Sequence, residues 1–541
     1  MVSSFHLISM EQEAFVKALK DPLTYGDDID QVRLLQTHIS FVALTDSYVY
    51  KIKKPVNFGF LDFSSLEKRR HFCEEEIRLN KRLCPDIYLD VVRITENKDA
   101  SKLTINGTGD IIDYAVKMKQ FSQENIMTTL LEKEQVTKDH IDSLCNILID
   151  FYKRSDSTKE IDSYGTPSSV KQNIDENFEQ TTDMIDITIP QETYNIIKVA
   201  NERFFKDHEH HLSDRMINGH IRDCHGDLHS GNIVINDTND ICVFDCIEFN
   251  KRFRFIDVAS DIGFLSMDLD FHNHFYLSSY LIQQYVAQGK DTSLFDVLNF
   301  YRSYRAYVRG KVIGFQLNDP HIEQEKRDSI ITIAKKYYAL SRYYAELFER
   351  QISDKRSIVF LVSGLTGTGK STLASKLSID YHAEILNTDI VRKKLAGIDT
   401  FERHHDEPNT GLYDPKNIQQ TYQKVMELGS HFLKKKRNII LDATFQKRKH
   451  RILAQELARE HDAVFVPILC SCPEDIAKKW LDQRLHEQTA SDGRWEIYQS
   501  MKKSFEPFGK DEDHITIDMS KEIYQDQMAQ FQQILSFIRK R

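Results

Sequence analysis

The sequence has no apolar run that approaches the roughly 18 residues needed to span a bilayer. Its first residues, MVSSFHLISMEQEAF, lack a basic segment followed by an apolar core, so no signal peptide is predicted. A basic excess is also absent: the net charge of -10 argues against a dedicated nucleic-acid coat or membrane-surface binder, although a local basic cleft is compatible with it. These absences favour a globular protein of the cytoplasm.

Paired cysteine motifs are missing as well. Eight cysteines are scattered along the chain without a CxxC pair, and Cys470 and Cys472 form only a CxC. A zinc site would require further ligands at a fitting spacing, and none is found. The pattern predicts free, buried thiols in a reducing compartment.

The chain of 541 residues is too long for one hydrophobic core, and about two to four domains are expected. Residues 33–54 are typical of two strands, RLLQTHISFVAL and YVYKIKK, and a charged helix and further strands follow them. We therefore predict a small sheet with one major helix over residues 1–121. Residues 122–351 are mostly helical, interrupted by a strand-and-turn segment from Cys224 to Asn250. Strands and helices alternate over residues 352–541, as in a doubly wound α/β domain.

A glycine-rich motif, GLTGTGKST, follows the apolar run IVFLVSG. Such a loop turns successive backbone N–H groups towards phosphate oxygens, and the next helix adds the partial positive charge of its N-terminus. In this pattern Lys370 reaches the β- and γ-phosphates of ATP and Ser371 holds Mg²⁺. The predicted nucleotide-binding residues are Gly364, Thr366, Gly367, Thr368, Gly369, Lys370, Ser371 and Thr372.

Downstream residues suggest what is done with the nucleotide. Asp389 and Arg392 lie three apart in NTDIVRKKL, on one face of a starting helix. Asp389 can accept a proton from a substrate hydroxyl, and Arg392 can hold the substrate or the transferred phosphate. Asp442 ends the strand NIILDATF, where it can complete the Mg²⁺ shell. The structural alternative for Asp389 is a helix cap, and we favour catalysis because of the nearby phosphate loop.

Residues 355–541 resemble the P-loop kinases of the polynucleotide-kinase and zeta-toxin type. The resemblance rests on the phosphate loop, TDIVRKKL, LDATFQKRKHR, CPEDIAKKWLDQR and SDGRW. It implies a lid that brings arginines to the transferred phosphoryl group. Arg484 is the first candidate for that catalytic role and Arg494 the second, while Arg448 and Arg451 are candidates for holding the substrate.

A second phosphate-handling motif, HGDLHSGNIVI, lies about 130 residues earlier. Phosphoryl transfer requires a group that orients the attacking hydroxyl and metal ions that neutralise the phosphates. Asp227 suits the first role, and Asn232 suits the second. Asp245 follows at the end of the next strand, where another Mg²⁺ ligand is expected. His225 is predicted to brace the loop.

The spacing HGDxxxxN, followed by a strand and Phe-Asp, resembles the aminoglycoside phosphotransferase and choline kinase family over residues 30–345. The resemblance implies the bilobal kinase fold and phosphorylation of small-molecule hydroxyls. The predicted fold is thus an α+β bilobal protein-kinase-like domain followed by an α/β doubly wound P-loop NTPase domain. One departure is the hairpin QTHISFVALTDS, which has no glycine for a phosphate-covering loop.

The upstream strand YVYKIKK places Lys51 and Lys53 on the same face. One of them should meet the ATP phosphates and pair with Glu74, Glu75 or Glu76. We favour Lys51 and Glu76, and Lys53 stays open as the alternative. Further on, a helix carries Arg302, Arg305 and Arg309 on one stripe. An anionic substrate could bind there, but salt bridges to an acidic surface are the favoured interpretation.

Together these motifs predict a bifunctional ATP-dependent kinase that uses Mg²⁺ and phosphorylates hydroxyl groups of small molecules, without a membrane partner. One alternative is a 5'-hydroxyl polynucleotide or RNA kinase in the C-terminal domain with an accessory N-terminal domain. It is not favoured because aromatic residues for base stacking are few near Asp389. Another alternative is a regulatory protein that senses nucleotides. The sequence identifies neither acceptor and gives no oligomeric state.

Overall fold

The computed structural model describes residues 13–26, 28–97, 102–319, 322–353, 356–400, 402, 410–484, 493–520 and 524–541. Two compact units divide the chain. Unit 1 contains Met1–Val170 and Leu212–Leu265, and unit 2 contains Lys171–His211 and Ser266–Arg541. The boundaries that the sequence predicts near residues 121 and 351 remain predictions. No described helix is long and apolar enough to cross a membrane.

The N-terminal part of unit 1 is a six-stranded antiparallel sheet in the order β1-β2-β3-β6-β4-β5. After a helix α1 over residues 13–19, its elements are β1 (Arg33–Gln36), β2 (Ser40–Leu44), β3 (Tyr48–Lys53), α2 (Leu66–Asn80), β4 (Tyr88–Asn97), β5 (Lys102–Ile105) and β6 (Asp110–Lys119). Phe41, Ala43, Tyr50 and Ile52 are buried in the core of this sheet, as the alternation of strand side chains requires.

The first predicted strand is divided in the structure. RLLQTHISFVAL forms β1 and β2, because a turn at Thr37–Ile39 interrupts the extended chain. The Thr37 hydroxyl accepts a hydrogen bond from the Ser40 amide at 2.9 Å and closes this turn. The predicted helix after the hairpin is α2, whose N-terminus is capped by the Ser65 side chain.

The chain from residue 127 to residue 353 is mostly helical. Its helices are α3 (Met127–Glu132), α4 (Lys138–Arg154), α5 (Lys159–Ser163), α6 (Pro167–Glu179), α7 (Gln191–Asp207), α8 (His210–Ile217), α9 (Lys251–Arg254), α10 (Val258–Phe271), α11 (Phe275–Gly289), α12 (Leu294–Gly314) and α13 (Gln324–Ser353). Two short antiparallel ladders interrupt them in unit 1, formed by β7 (Ile221–Asp223), β8 (Ile233–Ile235), β9 (Ile241–Val243) and β10 (Phe255–Asp257).

The C-terminal part of unit 2 contains a five-stranded parallel sheet in the order β12-β13-β11-β14-β15. In chain order its elements are β11 (Ile358–Ser363), α14 (Lys370–Asp380), β12 (Ala383–Asn387), α15 (Thr388–Leu395), α16 (Pro415–Lys434), β13 (Asn438–Asp442), α17 (Arg448–Glu460), β14 (Val464–Ser471), α18 (Glu474–Arg484), α19 (Trp495–Ser504), β15 (Ile515–Asp518) and α20 (Tyr524–Arg539). Every residue of the central strand β11 is buried, which explains its uninterrupted apolar sequence.

Two sequence expectations about individual side chains are wrong. Cys84 and Cys242 form a disulfide with Cα atoms 4.9 Å apart, so not all thiols are free. They are 158 residues apart in the chain, and only the fold brings β9 to the segment between α2 and β4. Arg302 forms a salt bridge as expected, with Asp380 at 3.1 Å, but the expected surface location is wrong because this side of α12 is buried.

Candidate active sites

In unit 1, strand β3 and helix α2 bring together two lysines and one glutamate. Lys51 Nζ lies 2.9 Å from Glu76 Oε1, and Lys53 Nζ lies 2.7 Å from Glu76 Oε2. Lys51 also contacts Asp245 Oδ1 at 2.6 Å, whereas Lys53 contacts Glu248. Both candidate lysines therefore pair with Glu76, and only Lys51 also reaches the aspartate predicted to bind metal.

The motif HGDLHSGNIVI contains the loop that follows β7 and ends with the strand β8. Asn232 Nδ2 donates to Asp227 at both the backbone oxygen (3.0 Å) and the side-chain Oδ2 (3.1 Å). The Phe244 amide donates to the Asn232 backbone oxygen at 3.0 Å, which holds Asn232 beside the residue that precedes Asp245. An amide side chain ligates metal through its oxygen, and its nitrogen is already used here. Asn232 and Asp245 therefore fit Mg²⁺, which prefers oxygen ligands.

Hydrogen bonds that involve Asp261 and His225 hold this loop in place. Asp261, near the start of α10, accepts the amides of His225 at 2.8 Å and Gly226 at 3.0 Å. His225 is buried, its Nε2 lies 3.0 Å from the Phe244 backbone oxygen, and burial lowers its pKa below the ordinary 6.5. Gly226 has φ of +87°, and a Cβ there would lie 2.7 Å from the Phe253 oxygen. This close approach explains why glycine precedes Asp227.

The ion pairs of unit 1 shift the pKa values of their members. Burial opposes the charge on Lys51, but Asp245 and Glu76 outweigh it and raise its pKa well above 10.5. Burial likewise opposes the charge on Glu76, but Lys51 and Lys53 prevail and lower its pKa from 4.5 to about 2. Glu76 therefore stays ionised over the physiological range of pH.

This shift predicts an acid sensitivity of unit 1. A lowered folded-state pKa stabilises the fold above the unfolded value of 4.5, and that stabilisation is lost as pH falls from 4.5 towards 2. The gap in calorimetric melting temperature between wild type and Glu76→Gln should therefore narrow as pH decreases over this interval. Glu74→Gln, at an exposed position on α2, is the control and should show no such trend. A gap that stays constant with pH would contradict the prediction.

In unit 2, the phosphate-loop motif connects β11 to α14. Gly364 has φ of +146°, and a Cβ there would lie 2.5 Å from the Cys470 oxygen, so glycine is required. Lys370 begins α14 and its Nζ donates to the Leu365 oxygen at 2.6 Å. A cavity of about 360 Å³ opens beside the loop. Of the predicted nucleotide-binding residues, the following line it: Thr366, Gly367, Gly369, Lys370 and Ser371. Those that do not are Gly364, Thr368 and Thr372.

Three side chains meet at the carboxyl ends of β12 and β13. Ser371 Oγ donates to Asp442 Oδ2 at 3.1 Å, and Asn387 Nδ2 donates to the same oxygen at 2.7 Å. Asp442 is buried, and burial raises its pKa above 3.8 although Lys370 opposes the shift. A hydroxyl and a carboxylate at this distance are a fitting donor pair for Mg²⁺. Sequence reasoning gave no role to Asn387, although it is the first residue of NTDIVRKKL.

Asp389 and Arg392 face the same cavity. Asn387, not Asp389, caps α15, because its side chain accepts the amides of Asp389 and Ile390. The capping role considered for Asp389 is thereby filled by another residue. Arg392 Nη1 donates to Asp389 Oδ1 at 2.6 Å and its guanidinium lies 4.7 Å from the Tyr413 ring centre. Its buried Nε has no hydrogen-bond partner among the described residues.

Two further arginines that were candidates for holding the substrate, Arg448 and Arg451, do not line the cavity. Arg451 is buried and pairs with Glu512 at 2.7 Å, and Arg448 pairs with Asp511. Both are used in structural contacts, because their side of α17 faces the segment that follows α19. The side chain of Arg484 lies outside the described residues, and Arg494 precedes α19 at its N-cap position. The cavity instead receives polar and aromatic side chains that sequence reasoning missed: Tyr413, Tyr422, Lys447, Lys449 and His450.

Residues 359–508 match a family model described as an AAA domain. An uncharacterized protein of Mycobacterium tuberculosis is 27% identical over 444 residues, covering 82% of this chain and 84% of the relative. A choline/ethanolamine kinase family protein from Mesorhizobium loti covers 62% of this chain and 99% of its own, with 10% identity and a TM-score of 0.36. The APS kinase CysC of M. tuberculosis, in complex with AMPPNP and APS, covers 34% of this chain and 98% of its own, with 13% identity and a TM-score of 0.24.

The predicted order of folds is confirmed. The N-terminal part has a protein-kinase-like fold, in which an antiparallel sheet and helix α2 precede a helical region with the Asp227 loop. The C-terminal part has the parallel sheet and phosphate loop of a P-loop NTPase. The phosphate loop and the matched AAA domain support nucleotide binding in the C-terminal part.

Proposed function

We propose that the protein is a bifunctional ATP-dependent kinase, in which each site transfers the γ-phosphate of ATP to a hydroxyl group of a small molecule. The observation that carries this proposal is that both units contain the same kinds of chemical groups. Each unit contains a carboxylate that can accept a proton, a lysine suited to phosphate and oxygen donors suited to Mg²⁺. In unit 1 the carboxylate is Asp227, and in unit 2 it is Asp389.

In unit 1, Asp227 accepts the proton of the attacking hydroxyl, a role that contributes about 10²- to 10⁴-fold to a rate. The hydrogen bonds from Asn232 hold that carboxylate in one orientation. Lys51, kept charged by its acidic partners, binds the phosphates. Asn232 and Asp245 would hold Mg²⁺, which neutralises phosphate charge when bound.

In unit 2, Asp389 accepts the proton and the ion pair to Arg392 orients it. Lys370 binds the transferred phosphate, and Arg392 has its buried Nε without a partner in the described part of the chain, so it can take part in holding an anionic group. Ser371 and Asp442 would hold Mg²⁺. The cavity of about 360 Å³ has the size of a small-molecule site, which supports a small acceptor over a polynucleotide. Arg484 stays a proposed lid residue.

Joining both sites in one chain has a physical advantage. A product released from one site is held near the other at a high effective concentration, provided that the two acceptors are related. We propose on this basis that the two sites act in sequence on one small molecule. The use of ATP supports a cytoplasmic location.

The experiment is to incubate the full chain with γ-labelled ATP and a metabolite and RNA extract, beside Lys370→Ala and Asp227→Ala. Each variant should lose a labelled product, because Lys370 and Asp227 belong to different sites. Lys434→Ala and Asp237→Ala, at exposed positions, are the matched controls and should keep all products. Label on RNA that Lys370→Ala removes would favour a polynucleotide kinase. Nucleotide binding without any transfer would favour a sensor, and unchanged products in both variants would refute the proposal.

A further inference from the structure

The ion pairs of unit 1 form a continuous chain of five alternating charges. In order, the chain joins Asp245, Lys51, Glu76, Lys53 and Glu248. Glu76 is at the centre, with one carboxylate oxygen for each lysine. A kinase fold requires a lysine and a glutamate at this place, and the second lysine with its own glutamate goes beyond that requirement.

Exposure increases along the chain from one end to the other. The side chains of Lys53 and Glu248 are 1% and 5% exposed, and Glu76 is fully buried. Lys51 is 17% exposed, and Asp245 is 43% exposed. A nucleotide and its metal can therefore reach Lys51 and Asp245, whereas Lys53 and Glu248 are out of reach of any ligand.

The buried pair connects the elements that carry the accessible pair. Lys53 stands two residues after Lys51 on β3, and Glu248 stands three residues after Asp245. The Lys53–Glu248 contact therefore fixes the position of β3 relative to the segment that follows β9. Lys53 also lies 4.8 Å from the Phe63 ring centre, which restricts its side chain.

The accessible end must change its partners when a nucleotide binds. Lys51 would then share its charge with phosphate oxygens, and Asp245 would serve as a ligand of the metal. Glu76 is buried, so it would lose much of its compensation if Lys51 were its only cation. Lys53 remains beside Glu76 and keeps the charge of that carboxylate paired.

We propose that Lys53 and Glu248 are positioning residues, which hold Glu76 and align Lys51 with Asp245 so that Lys51 is released to the nucleotide. This inference rests on the proposed function of the unit 1 site. It assigns to a buried ion pair an effect on nucleotide binding and turnover, beyond an effect on stability.

The test uses the full chain with Lys370→Ala, so that only the unit 1 site handles ATP. Into this parent we introduce Lys53→Met, Glu248→Gln and both together. Each single change leaves a buried charge unpaired and should lower the melting temperature, whereas the double change removes both charges and should restore much of it. Titration with a fluorescent ATP analogue should show an affinity reduced about tenfold in the double variant, and ATP turnover should fall at least as much.

The matched control is the double change Arg69→Met with Asp113→Asn. This pair is also buried in unit 1, with Arg69 Nε 2.8 Å from Asp113 Oδ1, but it does not belong to the chain of charges. It should leave nucleotide affinity unchanged. If the Lys53→Met/Glu248→Gln variant binds and turns over ATP like its parent, the inference is wrong while the proposed function stands. A parent that neither binds nor turns over ATP would overturn both.

Discussion

Replacing Lys376 with methionine should lower the free energy of unfolding of unit 2 by about 3–5 kcal/mol, the usual effect of removing one partner from a buried ion pair. Lys376 lies on α14, the helix that begins with the phosphate-loop lysine. Its Nζ is 2.7 Å from Asp380 Oδ2 and 3.2 Å from Asp270 Oδ2. Without it, two buried carboxylates lose their common cation.

The remaining partners cannot replace that cation. Arg302 Nη1 lies 3.1 Å from Asp380 Oδ1, and its other nitrogens donate to the hydroxyls of Ser266 and Ser278. Tyr343 and Tyr344 donate to Asp380 and Asp270, respectively. These contacts already use their donors, so the lost charge stays uncompensated. The network also explains why helices before residue 353 and the P-loop domain belong to one compact unit.

The measurement is urea unfolding followed by tryptophan fluorescence. The chain has two tryptophans, Trp480 and Trp495, and both lie in unit 2, so their emission reports the unfolding of that unit. Lys434→Met, at an exposed position of α16, is the control and should change the midpoint little. The combined variant Lys376→Met/Asp380→Asn should be less destabilised than the sum of its single changes. A Lys376→Met midpoint equal to that of the control would contradict the prediction.

Local patterns account for the parts that the sequence predicts well. The phosphate loop, the HGDxxxxN loop and Asp442 each occupy a few consecutive residues next to a strand, so the sequence alone places them at the ends of strands. Alternation along a strand also predicts that Lys51 and Lys53 share a face, and the structure shows both against Glu76. Alternation could not show which lysine meets the nucleotide, because both lie on the same face of the strand and both pair with Glu76.

What the sequence could not predict depends on contacts between distant segments. The Cys84–Cys242 disulfide requires the segment between α2 and β4 to meet β9, and no cysteine spacing reveals that. The burial of Arg302 depends on Asp380, which lies 78 residues later. Arg451 was a reasonable candidate for substrate, but Glu512 uses its guanidinium. In each case the sequence shows the type of the residue but not its partner. The partner decides whether the side chain lies at the surface, in the core or in a site.

The second large effect is expected at the metal position of unit 2. Asp442→Asn should reduce ATP turnover at this site by about a thousandfold, since metal coordination contributes several kcal/mol to stabilising the transferred phosphoryl group. The change keeps the shape of the side chain but removes its charge, and a neutral amide cannot replace a carboxylate as the principal Mg²⁺ ligand. Folding should suffer less than catalysis, because burial already disfavours the ionised form of Asp442 and raises its pKa.

The measurement is ATP turnover as a function of Mg²⁺ concentration in an Asp227→Ala background, where only the unit 2 site is active. The Asp442→Asn variant should show a much lower rate and should require more Mg²⁺ to reach it. Glu384→Gln is the matched control, because Glu384 lies on the neighbouring strand β12 and pairs with Arg437 near the surface. It should retain the parental rate and Mg²⁺ dependence. Parental turnover in Asp442→Asn would show that this carboxylate does not hold the metal, and its hydrogen-bond partner Ser371 would then lose its proposed role as a metal ligand.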